Sequence, residues 1–329
     1  MSRRLFDVCN GDADGLCATV QWRLHDPAPA AQLVTGVKRA IALLRHVDAA
    51  PGDEVLVCDI SMQRNRAALD ALLARGVCVR YFDHHAVDEV PRHPLLEARI
   101  DQASNVCTSL LMDRHLVADR GETRFRQWAL VGTWGDNMDP SADRLADALG
   151  LAPARRRQLR ELGIAINYNA YGETADDLLI HPAKLFALML RHTDPLGFAA
   201  DEPIVARLLA QRDDDLARAL AHPFAHDAGT ARVLVLPDAA WSRRISGSLA
   251  NLLAAQSPDK AHAVVTPKRD GKLSVSVRAP LTAPDGADAL CRRFGGAGRA
   301  AAGGIDHLAP GALERFVAAL ARTTWGRAG

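Results

Sequence analysis

Three short runs constrain the fold of this chain more than any other feature. Residues 5–9 (LFDVC), 54–58 (EVLVC) and 77–82 (VCVRYF) are apolar, β-branched and aromatic enough to be strands, and each runs directly into acids. The first leads into Asn10, Gly11, Asp12, Ala13, Asp14 and Gly15, the second into Asp59, and the third into Asp83, His84 and His85. Between them, residues 16–25, 41–47 and 65–75 have helical spacing, the last with Leu69, Leu72 and Leu73 on one face and Gly76 as its stop. Residues 33–35 read as a short second strand, and Gly11 and Gly15 permit a tight turn after the first. Strands alternating with helices predict a parallel, doubly wound sheet. Such sheets bind ligands at the carboxyl ends of their strands, where these acids and imidazoles would lie.

The remaining sequence predicts a strand at 95–100 and a helix at 105–117, capped near Ser104 or Asn105. From Arg124 to about Leu220 the pattern is mainly helical. Strand character returns at 231–236, 261–266 and 273–278, with helices at 244–255 and 311–322. The expected organisation is an α/β chain: a first domain over 1–190, a helical linker over 191–229, and a smaller C-terminal α/β domain over 230–329. The charge runs Arg155–Arg157 and Asp213–Asp215 read as solvated helix faces.

With 329 residues, two domains with their own cores are expected. Apolar residues make up 48% and charged residues 24%, an ordinary globular composition. The net charge of +1 gives no global attraction to nucleic acid or to membrane, so any nucleic-acid contact would be local. Six cysteines without C-x-x-C spacing argue against zinc and disulfides and for a reducing compartment. Residues 1–9 carry two arginines but no apolar core of signal-peptide length, so a cytoplasmic protein is expected.

A fourth acid, Asp136, follows an apolar helical stretch in the segment GTWGDNM that begins at Gly132. Four acidic sites and a histidine pair, most of them at strand ends, suit hard divalent cations: carboxylates favour Mg and Mn, and imidazole tolerates Mn. These four segments, in this order, resemble the four motifs of the DHH phosphoesterase superfamily. The C-terminal run from Phe294 to Gly304 (FGGAGRAAAGG) resembles the glycine-rich motif of the associated DHHA1 domain.

The resemblance implies two divalent cations, Mn2+ or Mg2+. Asp12 would bind one and Asp14 the other, Asp59 would bridge them, and His84 and Asp136 would complete the ligand set of the second metal. His85 would hydrogen-bond a phosphate oxygen, and Asp83 would orient a neighbouring histidine. In the C-terminal domain Arg278 and Arg299, with the glycines Gly295, Gly296 and Gly298, would contact substrate. Two departures stand out: Asn10 occupies a position where many members have His, and Gly298 stands where the C-terminal motif usually has His. The implied function is hydrolysis of phosphodiester or phosphomonoester bonds of short oligonucleotides or small nucleotides, by a hydroxide bridging the two metals. The alternative is a catalytically weak or inactive nucleotide- or RNA-binding protein that retains the fold. A homodimer is compatible with the resemblance, and no membrane partner is expected.

Overall fold

The computed structural model describes residues 3–326. The chain divides into two compact units, residues 1–209 and 210–329. In order, the first unit holds β1 (Leu5–Cys9), α1 (Ala13–His25), β2 (Gln32–Val34), β3 (Glu54–Cys58), α2 (Met62–Ala74), β4 (Cys78–Asp83) and β5 (Leu96–Ile100). There follow α3 (Thr108–Arg120), α4 (Arg126–Gly135), α5 (Asp139–Ala148), α6 (Pro153–Ala170), α7 (Pro182–Met189) and α8 (Pro195–Asp201); α9 (Pro203–Leu220) runs across the division.

The first sheet has the order β2-β1-β3-β4-β5 and every pairing is parallel. Alternation along the strands sends Phe6, Val8, Val55, Val57, Val79 and Tyr81 into one core with Leu69, Leu72 and Leu73 of α2. The opposite face meets α1 and α3. Helices on both faces make the unit doubly wound, as the alternation of elements predicts. The direction of the connections reverses between β1 and β3, which is where a sheet of this order opens a crevice at its carboxyl edge.

α1 is buried all round from Ala13 to Arg23 and packs on α3, α4 and α6. Thr19 Oγ1 donates to the Gly15 carbonyl and Gln21 Nε2 to those of Cys17 and Ser109. Arg23 forms a two-pronged pair with Asp7 of β1, Nε to Oδ2 at 2.8 Å and Nη2 to Oδ1 at 2.7 Å.

Two local expectations fail for identifiable reasons. Residues 41–47, read as a helix, contain a single 3-10 turn, Leu43–His46. The Asn65 side chain takes the backbone groups a helix would need: Nδ2 donates to the Ile41 carbonyl (2.7 Å) and Oδ1 accepts the Leu44 N–H (3.2 Å). The helix expected from residue 105 begins at Thr108, and neither Ser104 nor Asn105 caps it. Its cap is the Asp14 carboxylate, 94 residues away, which accepts from Thr108 N at 2.8 Å and Ser109 N at 2.7 Å.

The second unit holds β6 (His226–Ala228), β7 (Ala231–Val235), α10 (Ala240–Gln256), β8 (Ala261–Pro267), β9 (Leu273–Arg278), α11 (Ala287–Arg292), β10 (Ala297–Arg299), β11 (Ala302–Leu308) and α12 (Leu313–Arg322). Its six strands lie in the order β10-β11-β9-β8-β7-β6, mixed in direction, with the parallel pair β7–β8 joined through α10. Val233, Val265, Val275, Val277 and Ile305 pack there with Leu290, Phe316 and Leu320 of α11 and α12. Asp215 departs from the solvated face expected of its run: it is fully buried and paired with Arg244 at 3.0 Å. No helix among the described residues is long and apolar enough to cross a membrane.

Candidate metal centre

The turn after β1 is closed by contact. A Cβ on Gly11 would lie 2.0 Å from the Gly36 carbonyl oxygen, and one on Gly15 would lie 2.5 Å from that of Asn10. Glycine is needed at both positions for close approach of the backbone, since neither has the positive φ of a left-handed turn. This packing fixes Asp12 as the N-cap of α1, with its Oδ1 accepting from Gly15 N at 3.0 Å. Asp14, in the first turn of the same helix, is held through both oxygens by the first N–H groups of α3.

Asp59 directly follows β3 and Asp136 caps the end of α4. Asp59 (φ 58°) and Asn137 (φ 60°), beside Asp136, are the only non-glycine residues with positive φ among those described. Backbone in this region costs of order 1–3 kcal/mol per residue and gathers at functional sites. Here both instances flank the acidic cluster.

His84 collects the acids. Its Nδ1 lies 2.9 Å from the Val106 carbonyl, which can only accept, so Nδ1 donates there and Nε2 faces the carboxylates. Nε2 is 3.4 Å from Asp59 Oδ1 and 3.8 Å from both Asp14 Oδ2 and Asp136 Oδ2. Metal–ligand bonds of about 2.1 Å place neighbouring donor atoms roughly 3–4 Å apart. Two overlapping triads bring their donor atoms within 4.8 Å of one another, Asp14–His84–Asp136 and Asp59–His84–His85. Both include His84.

The electrostatics agree with that chemistry. Burial, reinforced by the charges of Asp12 and Asp14, pushes the Asp59 carboxyl well above the ordinary range. Burial also raises Asp14, against the opposing charge of His84. Burial disfavours a charged His84, but the hydrogen bond to Asp59 and the charge of Asp136 outweigh it, and its pKa is pushed up to about 10. Buried acids of this density fit a divalent cation, which offsets their repulsion and replaces the imidazole proton.

Asp83 is fully buried and stands behind the histidines. Its Oδ1 accepts from His84 N (2.9 Å), His85 N (3.3 Å) and His85 Nδ1 (2.7 Å), and Oδ2 from Met62 N (3.3 Å). His85, with its side chain 40% exposed, is thereby aimed with Nε2 outward.

Asp12 belongs to neither triad. Its Oδ2 is bonded by the ammonium of Lys38, which also lies 3.4 Å from Asn167 Oδ1, 3.9 Å from Asp136 Oδ1 and 5.6 Å from the centre of the Tyr171 ring. Burial opposes ionisation of Asp12, but the Lys38 charge overcomes it and holds the carboxyl below its ordinary value. Sequence reasoning passed over Lys38. The available signal was its place: β2 is parallel to β1, so the loop leaving β2 opens at the same edge as the acids.

In the second unit the glycine-rich run is a β-hairpin. Gly298 pairs with Gly303 and Arg299 with Ala302, which pairs in turn with Arg278. Arg278 and Arg299 therefore stand in one row on one face with a small alanine between them, roughly 10 Å apart by strand spacing. Arg278 Nε donates to Asn251 Oδ1 at 2.6 Å. A Cβ on Gly298 would fall 2.4 Å from both the Ala302 oxygen and Gly303 Cα, and one on Gly296 2.2 Å from the Gly304 oxygen. The hairpin packing thus excludes an imidazole at 298. Gly295, with φ 77°, makes the turn that enters it.

No protein-family model and no curated protein matches the sequence. Solved structures do. The chain is similar to a DHH-domain member of the s1p family of ribosomal proteins (14% identity, TM-score 0.68, covering 97% of this chain and 86% of that one). It is similar to RecJ in complex with Mn2+ from Thermus thermophilus (20% identity, TM-score 0.67, 98% of this chain), spanning 53% of that protein's length. It also resembles PggH, a pGpG-specific phosphodiesterase from Vibrio cholerae (14% identity, TM-score 0.55, 97% and 98%). The motifs at the strand ends and these likenesses agree, and the chain has the fold of the DHH superfamily.

Proposed function

We propose that this chain is a divalent-metal-dependent phosphoesterase acting on short oligonucleotides or small nucleotides. The observation that carries the reading is the convergence of three carboxylates, delivered by α1, β3 and α4, on Nε2 of buried His84. A divalent ion held there would lower the pKa of a coordinated water and offset charge on a phosphoryl oxygen. Asp14, Asp59, His84 and Asp136 would hold it. His85, aimed by Asp83, would donate from Nε2 to a non-bridging phosphate oxygen as charge develops there. Arg278 and Arg299 form a two-pronged cationic row that suits a phosphate or a short run of phosphates. The net charge of +1 favours small substrates over long duplexes.

The test is release of phosphate or nucleotide with Mn2+ or Mg2+ from a short oligonucleotide, a nucleoside bisphosphate, a cyclic dinucleotide and polyphosphate. Asp59→Asn serves as the control. Metal-dependent release lost in the control supports the reading, and the best substrate names its class. No release from any of the four, with nucleotide still bound, replaces it with a nucleotide- or RNA-binding function.

A further inference from the structure

We propose that the Lys38 ammonium is a built-in cation that stands in for one of the two metals the motifs imply, so that the centre binds a single divalent ion. This rests on the metal-centre reading above and revises its stoichiometry. The two described triads both use His84 and leave Asp12 out, although Asp12 lies within hydrogen-bond reach of the Asp59 carboxyl. Asp12 gives one oxygen to the Gly15 N–H and the other to Lys38.

The lysine is built in. Its backbone N–H donates to the Ala170 carbonyl at 2.9 Å, and its own carbonyl accepts from Asn10 Nδ2 at 3.4 Å. Its ammonium is enclosed by Asp12, Asp136, Asn167 and the Tyr171 face, and its side chain is only a quarter exposed. Two features that look separate in the sequence then form one arrangement. Asn10, at a position where an imidazole would favour a metal, instead holds the loop that delivers Lys38. An ammonium supplies one fixed positive charge and three donors but offers no lone pair to share, so it neutralises Asp12 without generating a nucleophile. Lys38 would act as a positioning and charge-balancing residue, reaching toward a phosphate oxygen at the place a second ion would occupy.

The experiment is metal stoichiometry on the full chain, stripped with chelator and titrated with Mn2+ by calorimetry, with bound metal counted by elemental analysis after dialysis. The wild type is expected to bind one Mn2+ per chain. Lys38→Ala is expected to bind two, because Asp12 and the Asn10 amide oxygen, which has no hydrogen-bond partner among the described residues, become free to hold the second. A spin-coupled Mn–Mn signal in electron paramagnetic resonance should appear only in that variant. Lys38→Arg, which keeps the charge, should stay at one ion; Lys38→Met repeats the test should the alanine variant fold poorly. Two ions in the wild type, or one ion in both the wild type and the charge-removing variants, overturns the proposal while leaving the metal centre standing. No ion in any of them overturns the metal centre itself.

Discussion

The buried pair between Asp7 and Arg23 ties β1 to α1 on either side of the turn that carries Asp12 and Asp14, and Arg23→Met isolates its role. Asp7 is 2% exposed and Arg23 7%, and the guanidinium meets both carboxylate oxygens, at 2.7 and 2.8 Å. Methionine fills the stem of the arginine but leaves a carboxylate in the core with no counter-charge. Removing one partner of such a pair costs about 3–5 kcal/mol, whereas replacing both with apolar residues is close to neutral. With a urea dependence of about 2 kcal/mol per M, that cost lowers the midpoint for the first unit by roughly 1.5–2.5 M. The pH dependence sharpens the test. Burial already raises the Asp7 carboxyl against the pull of Arg23. Without the arginine it rises further, and a carboxyl raised in the folded state stabilises only while protonated. The Arg23→Met variant should therefore recover stability as pH falls from 7 toward 5, and Asp7→Leu/Arg23→Met should recover it at every pH. Urea unfolding followed by circular dichroism at pH 5 and 7 measures both effects. A single variant within about 1 kcal/mol of wild type, or a double variant as unstable as the single, refutes the argument.

Three further outcomes are expected. Asp59→Ala should melt lower than Asp59→Asn by the equivalent of about 1 kcal/mol, because asparagine tolerates the left-handed backbone at φ 58° and alanine does not, while both should lose Mn2+ binding in calorimetry. Mn2+ must displace the His84 proton, so its affinity should rise by up to about tenfold per pH unit as pH climbs toward 10 and level off there, with matching proton release in buffers of different ionisation enthalpy. Gly298→His, which restores a motif residue on paper, should destabilise the second unit by about 1–3 kcal/mol or more in thermal melts, since its Cβ has no room beside Ala302 and Gly303; an unchanged melting temperature contradicts the hairpin packing.

The parallel sheet was legible because strand and helix periodicities alternate cleanly up to residue 100, and the acids at the strand ends marked the site's edge. What escaped the sequence was supplied by partners distant along the chain. Asn65 broke the helix expected at 41–47 by capturing backbone groups some twenty residues away. Asp14 moved the start of α3 by capping it from 94 residues off. The glycine-rich run carries no strand signal because glycine weakens strand propensity, yet a hairpin of closely approaching backbones requires it. Lys38 was one lysine among five until the fold brought it against Asp12. In each case the deciding contact depends on tertiary placement, which local propensity does not encode.

The complete burial of α1 has a kinetic consequence. A helix with no solvent-facing side from Ala13 to Arg23 cannot fray or peel away alone, because every turn is locked between the sheet and α3, α4 or α6. Its amide hydrogens should exchange with solvent deuterons only when the whole unit opens, at the slowest rate in the chain. Asp12 and Asp14 ride on that helix, so loading the centre should slow exchange throughout α1 and its neighbours together, and ligand traffic must proceed through side-chain motion over an immobile backbone.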